Sequence, residues 1–139
     1  MAAVEDPEIP VLTIDDLGIL RDVRLADGIV EVTITPTYSG CPAMAVIAWE
    51  IEAALRRAGF AACRVRSVLS PAWTTDWMSA EGRRKLAEYG IAPPTTATPA
   101  CPRCGGGPTE VISAFGSTPC KALHRCLTGR EPFDAFKCH

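Results

Sequence analysis

The sequence predicts an α+β body followed by a small tail that needs a metal to fold. Three observations carry this. Residues 29–35 alternate as a half-buried strand directly after a tight-turn signal. Residues 44–58 repeat apolar side chains at helical spacing. Five of the seven cysteines and both histidines fall in residues 101–139. At 139 residues the chain has room for one ordinary domain and an appendage, and its 47% hydrophobic content is enough for a packed core.

In chain order, Asp6-Pro7-Glu8-Ile9-Pro10 reads as a rigid opening loop, because each proline removes an N–H and restricts the residue before it. A first strand is expected over 17–25. Asp27-Gly28 supplies the positive φ values of a hairpin turn. In the next strand Val30, Val32 and Ile34 share the buried face, and Glu31, Thr33 and Thr35 the wet one. The loop Thr37-Tyr38-Ser39-Gly40-Cys41 leads into a helix running to about Ala58, with Met44, Ile47, Ile51 and Leu55 inward and Gly59 as its stop. Pro42 suits the first helical position, which makes Cys41 the expected N-cap. A thiol there meets unpaired N–H groups and the positive end of the helix dipole, so a favoured thiolate is expected. Against that stands the plainer reading of Cys41 as a small buried residue.

A third strand is expected over 61–69, with Cys63 in the core. Trp73 and Trp77 follow on a loop, as core residues or as a partner site. Ser79 is placed to cap a helix through Tyr89 that Gly90 ends. Residues 91–100, IAPPTTATPA, form an extended Pro/Thr linker. The expected division is therefore a body over 1–92, a linker over 93–100 and a tail over 101–139.

In the tail, Cys101-Pro-Arg-Cys104-Gly has the form of a metal knuckle, two thiolates with a glycine that frees the turn behind them, a donor set suited to zinc. Twenty-one residues separate Cys104 from Cys126, the gap of a two-knuckle ribbon. The second knuckle is incomplete: where a fourth cysteine is expected, the chain has Gly129. Cys138 is the expected substitute, with Cys120, His124 and His139 as alternatives. Such a metal either staples a segment too short to build its own core, or is transferred or reactive.

Composition excludes several classes. A net charge of −2, with −4 over residues 1–100 and +2 over the tail, gives no basic footprint for nucleic acid. The longest apolar run, 43–49, is too short to span a bilayer, and the N-terminus has no secretory pattern, so a cytoplasmic protein without disulfides is expected. No Gly-rich phosphate loop, Ser-His-Asp set or paired-carboxylate signature is present, so general acid–base catalysis on a small substrate is poorly supplied.

DPEIPVLTIDDLG, TPTYSGCPAM, SPAWTTDWMSAEGRRKLAEYGIAPP and CPRCG…ISAFGSTPCKALHRC…EPFDAFKCH together resemble the PaaD family, accessory proteins encoded with phenylacetyl-CoA epoxidase. The likeness covers essentially the whole chain, and the body also resembles the SufT-like family of Fe–S cluster assembly domains. The resemblance implies a two-layer α+β fold with a small antiparallel sheet, helices on one face and a zinc-ribbon-like extension. It implies a non-catalytic role rather than an enzyme: assistance in maturing the Fe–S reductase or the di-iron oxygenase subunit, with Cys41 and the carboxylates of Asp6 and Glu8 matching the family's transfer motifs and a transient iron or Fe–S unit as cargo. A structural subunit of the oxygenase complex is the rival reading, and a thiol oxidoreductase using Cys101 and Cys104 a third. Members of the family begin with a helix ahead of the DPE motif, which this chain reaches at Asp6; an uncovered apolar sheet surface there predicts a homodimer or a partner.

Overall fold

The structure is a computed structural model and describes residues 3–139. The chain divides into two compact units, residues up to Ser79 and residues Ala80–His139.

The first unit is built on a three-stranded sheet of order β1-β2-β3, with β1 at Leu20–Ala26, β2 at Ile29–Ile34 and β3 at Cys63–Ser67. Asp27 and Gly28 take φ of 51° and 76°, and that left-handed pair closes β1 onto β2 as the Asp-Gly signal requires. Helix α1, Ala43–Arg57, carries the chain from β2 to β3. The sheet is therefore mixed: β1–β2 is antiparallel and β2–β3 parallel, which corrects the expectation of an all-antiparallel sheet. A helical crossover returns the chain to the end of the sheet where β2 began, and a strand starting there runs parallel to it. Val30, Val32 and Ile34 are buried, as are Ile47, Ile51 and Leu55 of α1.

The segment before β1 contributes Ile9, Leu12, Ile14, Leu17 and Ile19, all almost fully buried. It is tied by turns, by a Glu5–Thr13 bridge and by Asp16, whose Oδ2 accepts from the Thr13 N–H and hydroxyl at 3.1 and 3.0 Å. Asp16 Oδ1 accepts from the Ser79 hydroxyl at 3.0 Å. Strand β1 starts three residues later than expected because Leu17 and Gly18 belong to this coil. Cys63 is half-buried rather than core, since β3 is an edge strand. Of the two tryptophans, Trp73 is buried and donates through Nε1 to Leu17 O at 2.8 Å. Trp77 ends a 3-10 turn over Thr75–Trp77 and carries the Arg21 guanidinium 3.6 Å above its ring.

The second unit holds helix α2, Ala80–Tyr89, and an antiparallel sheet of order β4-β5-β6, with strands at Thr109–Ser113, Lys121–Cys126 and Pro132–Phe136. Strand β6 goes beyond the elements expected from the sequence. The 93–100 stretch does not mark the division between units. Ala92 bridges Ala135, donating to Asp134 O and accepting from the Phe136 N–H at 2.9 Å each, so the chain is already stitched to β6 before the prolines begin. Ala92, Cys101, Cys126, Phe133 and Ala135 form the buried cluster of this unit.

Candidate functional sites

The body site starts from Asp6. Its buried carboxylate accepts from the backbone N–H groups of Glu8 and Ile9 at 2.8 and 2.9 Å, so the Pro-flanked loop turns around one oxygen. Beside this loop stands Cys41, half-buried, its N–H donating to Tyr38 O and its carbonyl accepting from Met44. The helix starts one residue later than expected: Pro42, with φ −68° and ψ −22°, takes the N-cap place, and no side chain caps the helix.

Burial pushes the Cys41 thiol up, and the charges of Glu8 and Asp6 push it further. The Ala43 N–H and the Tyr38 hydroxyl act in the opposite direction and are outweighed. This overturns the expectation of a favoured thiolate: desolvation and two neighbouring carboxylates exceed the helix-terminus effect. Of the sequence-predicted trio, Glu8 and Asp6 lie within electrostatic reach of Cys41, but among the described residues the three do not form a metal-holding cluster. Asp6 and Pro7 also line an open hollow of about 430 Å3 whose other wall is the Val46, Glu50, Ala54 and Arg57 face of α1.

The tail site is a cluster of three thiols. The sulfurs of Cys101, Cys104 and Cys126 all lie within 4.8 Å of one another, and Cys104 Sγ is 3.7 Å from Cys126 Sγ. Two sulfurs at ~2.3 Å from one tetrahedral zinc ion stand about 3.8 Å apart, so the spacing fits the metal. Gly105, with φ 71°, makes the turn behind the knuckle and donates to Cys101 O at 2.9 Å. The Gly129 N–H points at Cys126 Sγ over 3.3 Å and, with the Thr128 N–H, lowers that thiol's pKa against the effect of burial. Cys104 is moved the other way: its contact with Gly106 lowers it, but the neighbouring Cys101 and Cys126 thiols prevail and raise it. Cys126 is thus favoured to ionise ahead of Cys104.

None of the expected fourth ligands joins the cluster. Lys137, next to Cys138, donates its N–H to Cys120 O and its ammonium to Pro119 O, which puts Cys138 and Cys120 at the far end of β5. Six residues of strand, roughly 20 Å at ~3.3 Å each, separate Cys120 from Cys126. This corrects the assignment of Cys138, because the β5–β6 register carries residue 138 away from the metal end. Cys120 Sγ instead sits 3.0 Å from Thr118 Oγ1. His139 follows Cys138, its pKa lowered by burial and by Lys137. His124 stacks on Phe133 at 5.7 Å, and burial holds it below the usual imidazole value.

The far end of the ribbon has its own organisation, which sequence reasoning does not foresee. Asp134 on β6 accepts from the Ser117 N–H and hydroxyl at 3.3 and 2.6 Å and pairs with the buried Lys121 ammonium at 3.7 Å. A Cβ on Gly116 would stand 2.3 Å from Asp134 Oδ1. The signal for it is the aspartate two residues after a proline that can open an edge strand.

A body of the iron–sulfur assembly kind followed by a β-ribbon with a thiol cluster defines the class, and comparison with known families agrees. Residues 1–69 match the family described as "Iron-sulfur cluster assembly protein", and residues 92–137 the one described as "PaaD zinc beta ribbon domain". The chain is 49% identical over 147 aligned residues, 99% of its own length and 88% of the relative's, to an Escherichia coli (strain K12) protein named as one of the subunits of 1,2-phenylacetyl-CoA epoxidase. It belongs to that family, the PaaD family. It is also 35% identical to the "Fe-S protein maturation auxiliary factor" of Porphyromonas gingivalis, over 62% of this chain and 83% of that one. A crystal structure of a DUF59 domain from Bacillus anthracis superposes with a TM-score of 0.56 at 28% identity, covering 61% of this chain and 82% of the other. Among the described residues no helix is long and apolar enough to cross a membrane.

Proposed function

We propose that the protein is a cytoplasmic, non-catalytic maturation factor that helps load an iron or Fe–S centre into a component of phenylacetyl-CoA epoxidase. The observation that carries this reading is a half-buried Cys41 at the start of α1, within electrostatic reach of Asp6 and Glu8 and inside the part of the chain that matches iron–sulfur cluster assembly proteins. A thiol is a ligand for iron, carboxylates in electrostatic reach favour a cation beside it, and a single thiol beside an open loop suits passing cargo on better than keeping it.

The residues divide the work. With its pKa raised, Cys41 stays protonated and inert until a cation arrives; the cation's charge then reverses the electrostatics of the site and releases the proton. Asp6 holds the loop in shape through Glu8 and Ile9. The carboxylates that disfavour the thiolate when the site is empty favour a bound cation. In the ribbon, Cys101, Cys104 and Cys126 would hold a zinc ion, whose binding supplies folding energy to a segment with a small core. The ribbon then presents a surface to the client.

The test is Cys41→Ala in cells expressing the epoxidase components, with iron and acid-labile sulfide measured in the purified reductase and iron in the oxygenase. The expected result is a client deficient in its metal centre while the variant accumulates normally. Fully loaded clients at wild-type rates would refute the assignment of Cys41.

A further inference from the structure

Zinc and its surrogates take four donors, and this ribbon supplies three. Among the described residues no other Cys, His, Asp or Glu joins Cys101, Cys104 and Cys126. The side of the cluster where a two-knuckle ribbon places its last thiolate is Gly129. A Cβ built there meets only Cys126 Sγ, at 3.9 Å, an ordinary contact, with nothing else within 4 Å. The backbone of Gly129 is outside the left-handed region, so a side chain would be tolerated. The position lacks a ligand because the residue is glycine, not because the fold forbids one. Gly129 is itself exposed, as is Cys104, one of the three donors, so the cluster is open to solvent.

We propose that the ribbon's metal site is a three-thiolate site with an exchangeable fourth position beside Gly129, and that this position takes a thiolate from another molecule. Three protein ligands with one open position is the arrangement of reactive rather than purely structural zinc sites. A set of thiolates favours soft metals and a soft fourth donor, hence sulfur ahead of a carboxylate. On binding, the incoming thiol would lose its proton to the buffer and its sulfur would replace a solvent water at the fourth position, the water leaving to bulk; no electron moves. The donor can be a small thiol or a cysteine on a protein. This inference concerns the ribbon alone and stands whether or not Cys41 carries cargo.

The test uses the full chain loaded with Co2+, whose thiolate-to-metal absorption grows with each sulfur bound and whose visible bands report tetrahedral geometry. The wild type is titrated with 2-mercaptoethanol, and separately with a peptide carrying one cysteine and the same peptide carrying serine. The charge-transfer band should rise to saturation with the small thiol and with the cysteine peptide, not with the serine peptide. Gly129→Cys should show the four-sulfur spectrum before any thiol is added and should not respond. EDTA should strip the wild type about 100-fold faster than Gly129→Cys, the upper end of what losing even an outer-shell partner costs. Gly129→Ser, which adds a side chain without a thiolate, should behave as wild type and separates closure by sulfur from a steric effect. If only the peptide perturbs the spectrum, the donor is a protein cysteine; if 2-mercaptoethanol does so equally, a small thiol suffices; either supports the open position. A four-sulfur spectrum in thiol-free wild type, whether the protein is monomeric or dimeric by light scattering, would overturn it, because the chain or a second copy would then complete the site. Failure to bind Co2+ would overturn it as well.

Discussion

Gly18 lies in the buried coil before β1 with φ of 68°, and a Cβ there would stand 2.4 Å from the Trp77 carbonyl oxygen and 2.7 Å from Trp77 Cβ. The opposing atoms are backbone and Cβ, so no rotamer change relieves the clash. Gly18→Ala therefore adds two costs: about 1 kcal/mol for an L-residue in the left-handed region, and about 1–3 kcal/mol for overpacking. The lower entropy of the unfolded chain returns a few tenths of a kcal/mol. The net loss is roughly 2–3 kcal/mol, a large share of the roughly 5–15 kcal/mol that holds an ordinary domain. Gly28 is the internal control: its φ is 76°, yet nothing lies within 4 Å of its would-be Cβ, so Gly28→Ala carries the strain alone. Thermal melts followed by tryptophan fluorescence should separate the two, with a drop of roughly 10–20 °C for Gly18→Ala and a few degrees for Gly28→Ala. The reporters suit the purpose, because Trp73 and Trp77 clamp this segment. Equal losses from both substitutions would mean that strain, not the Trp77 contact, decides the cost, and the close packing of that loop on Gly18 would have to be abandoned.

Asp16→Ala removes a buried acceptor from the Thr13 N–H, the Thr13 hydroxyl and the Ser79 hydroxyl, and should destabilise the first unit by about 2–4 kcal/mol in urea unfolding; a loss below about 0.5 kcal/mol would show these bonds are replaced by water. The pH profile of Cys41 alkylation should have its midpoint above the usual thiol value, so that at neutral pH Cys41 reacts more slowly than free cysteine under the same conditions. The linkage has the same sign: with the folded pKa raised, stability is unaffected below the unfolded value and falls as pH rises through the interval up to the folded one. A Cys41 that is alkylated as fast as free cysteine at neutral pH would contradict this. Cys126→Ser should abolish stoichiometric metal binding, read by elemental analysis, and lower the protease resistance of residues 101–139 while the first unit keeps its own melting transition.

Much of this is legible in the sequence, and the failures share a cause. The Asp27-Gly28 hairpin, α1 and the three clustered thiols depend on spacing within a few residues or on a ribbon-length gap, and spacing is written in the chain. The parallel placement of β3 and the fate of Cys138 depend on register between distant segments. The β-α-β order does carry a signal for the former. For the latter, the alternation of Phe133 and Ala135 marks a strand that carries residue 138 away from the cluster. The Cys41 thiol is misjudged from sequence because a helix terminus can be read locally, whereas burial and the approach of Asp6 and Glu8 cannot.

Asp134 reaches across to Ser117 and Lys121, and Gly116 leaves its carboxylate the room to do so. The strings FGST…CKAL and EPFD, which look in the sequence like two separate signatures of the family, are therefore the two halves of one clasp. They should evolve as a unit: a lineage that enlarges residue 116 should also lose the aspartate, and the two substitutions made together should cost less than the sum of each alone.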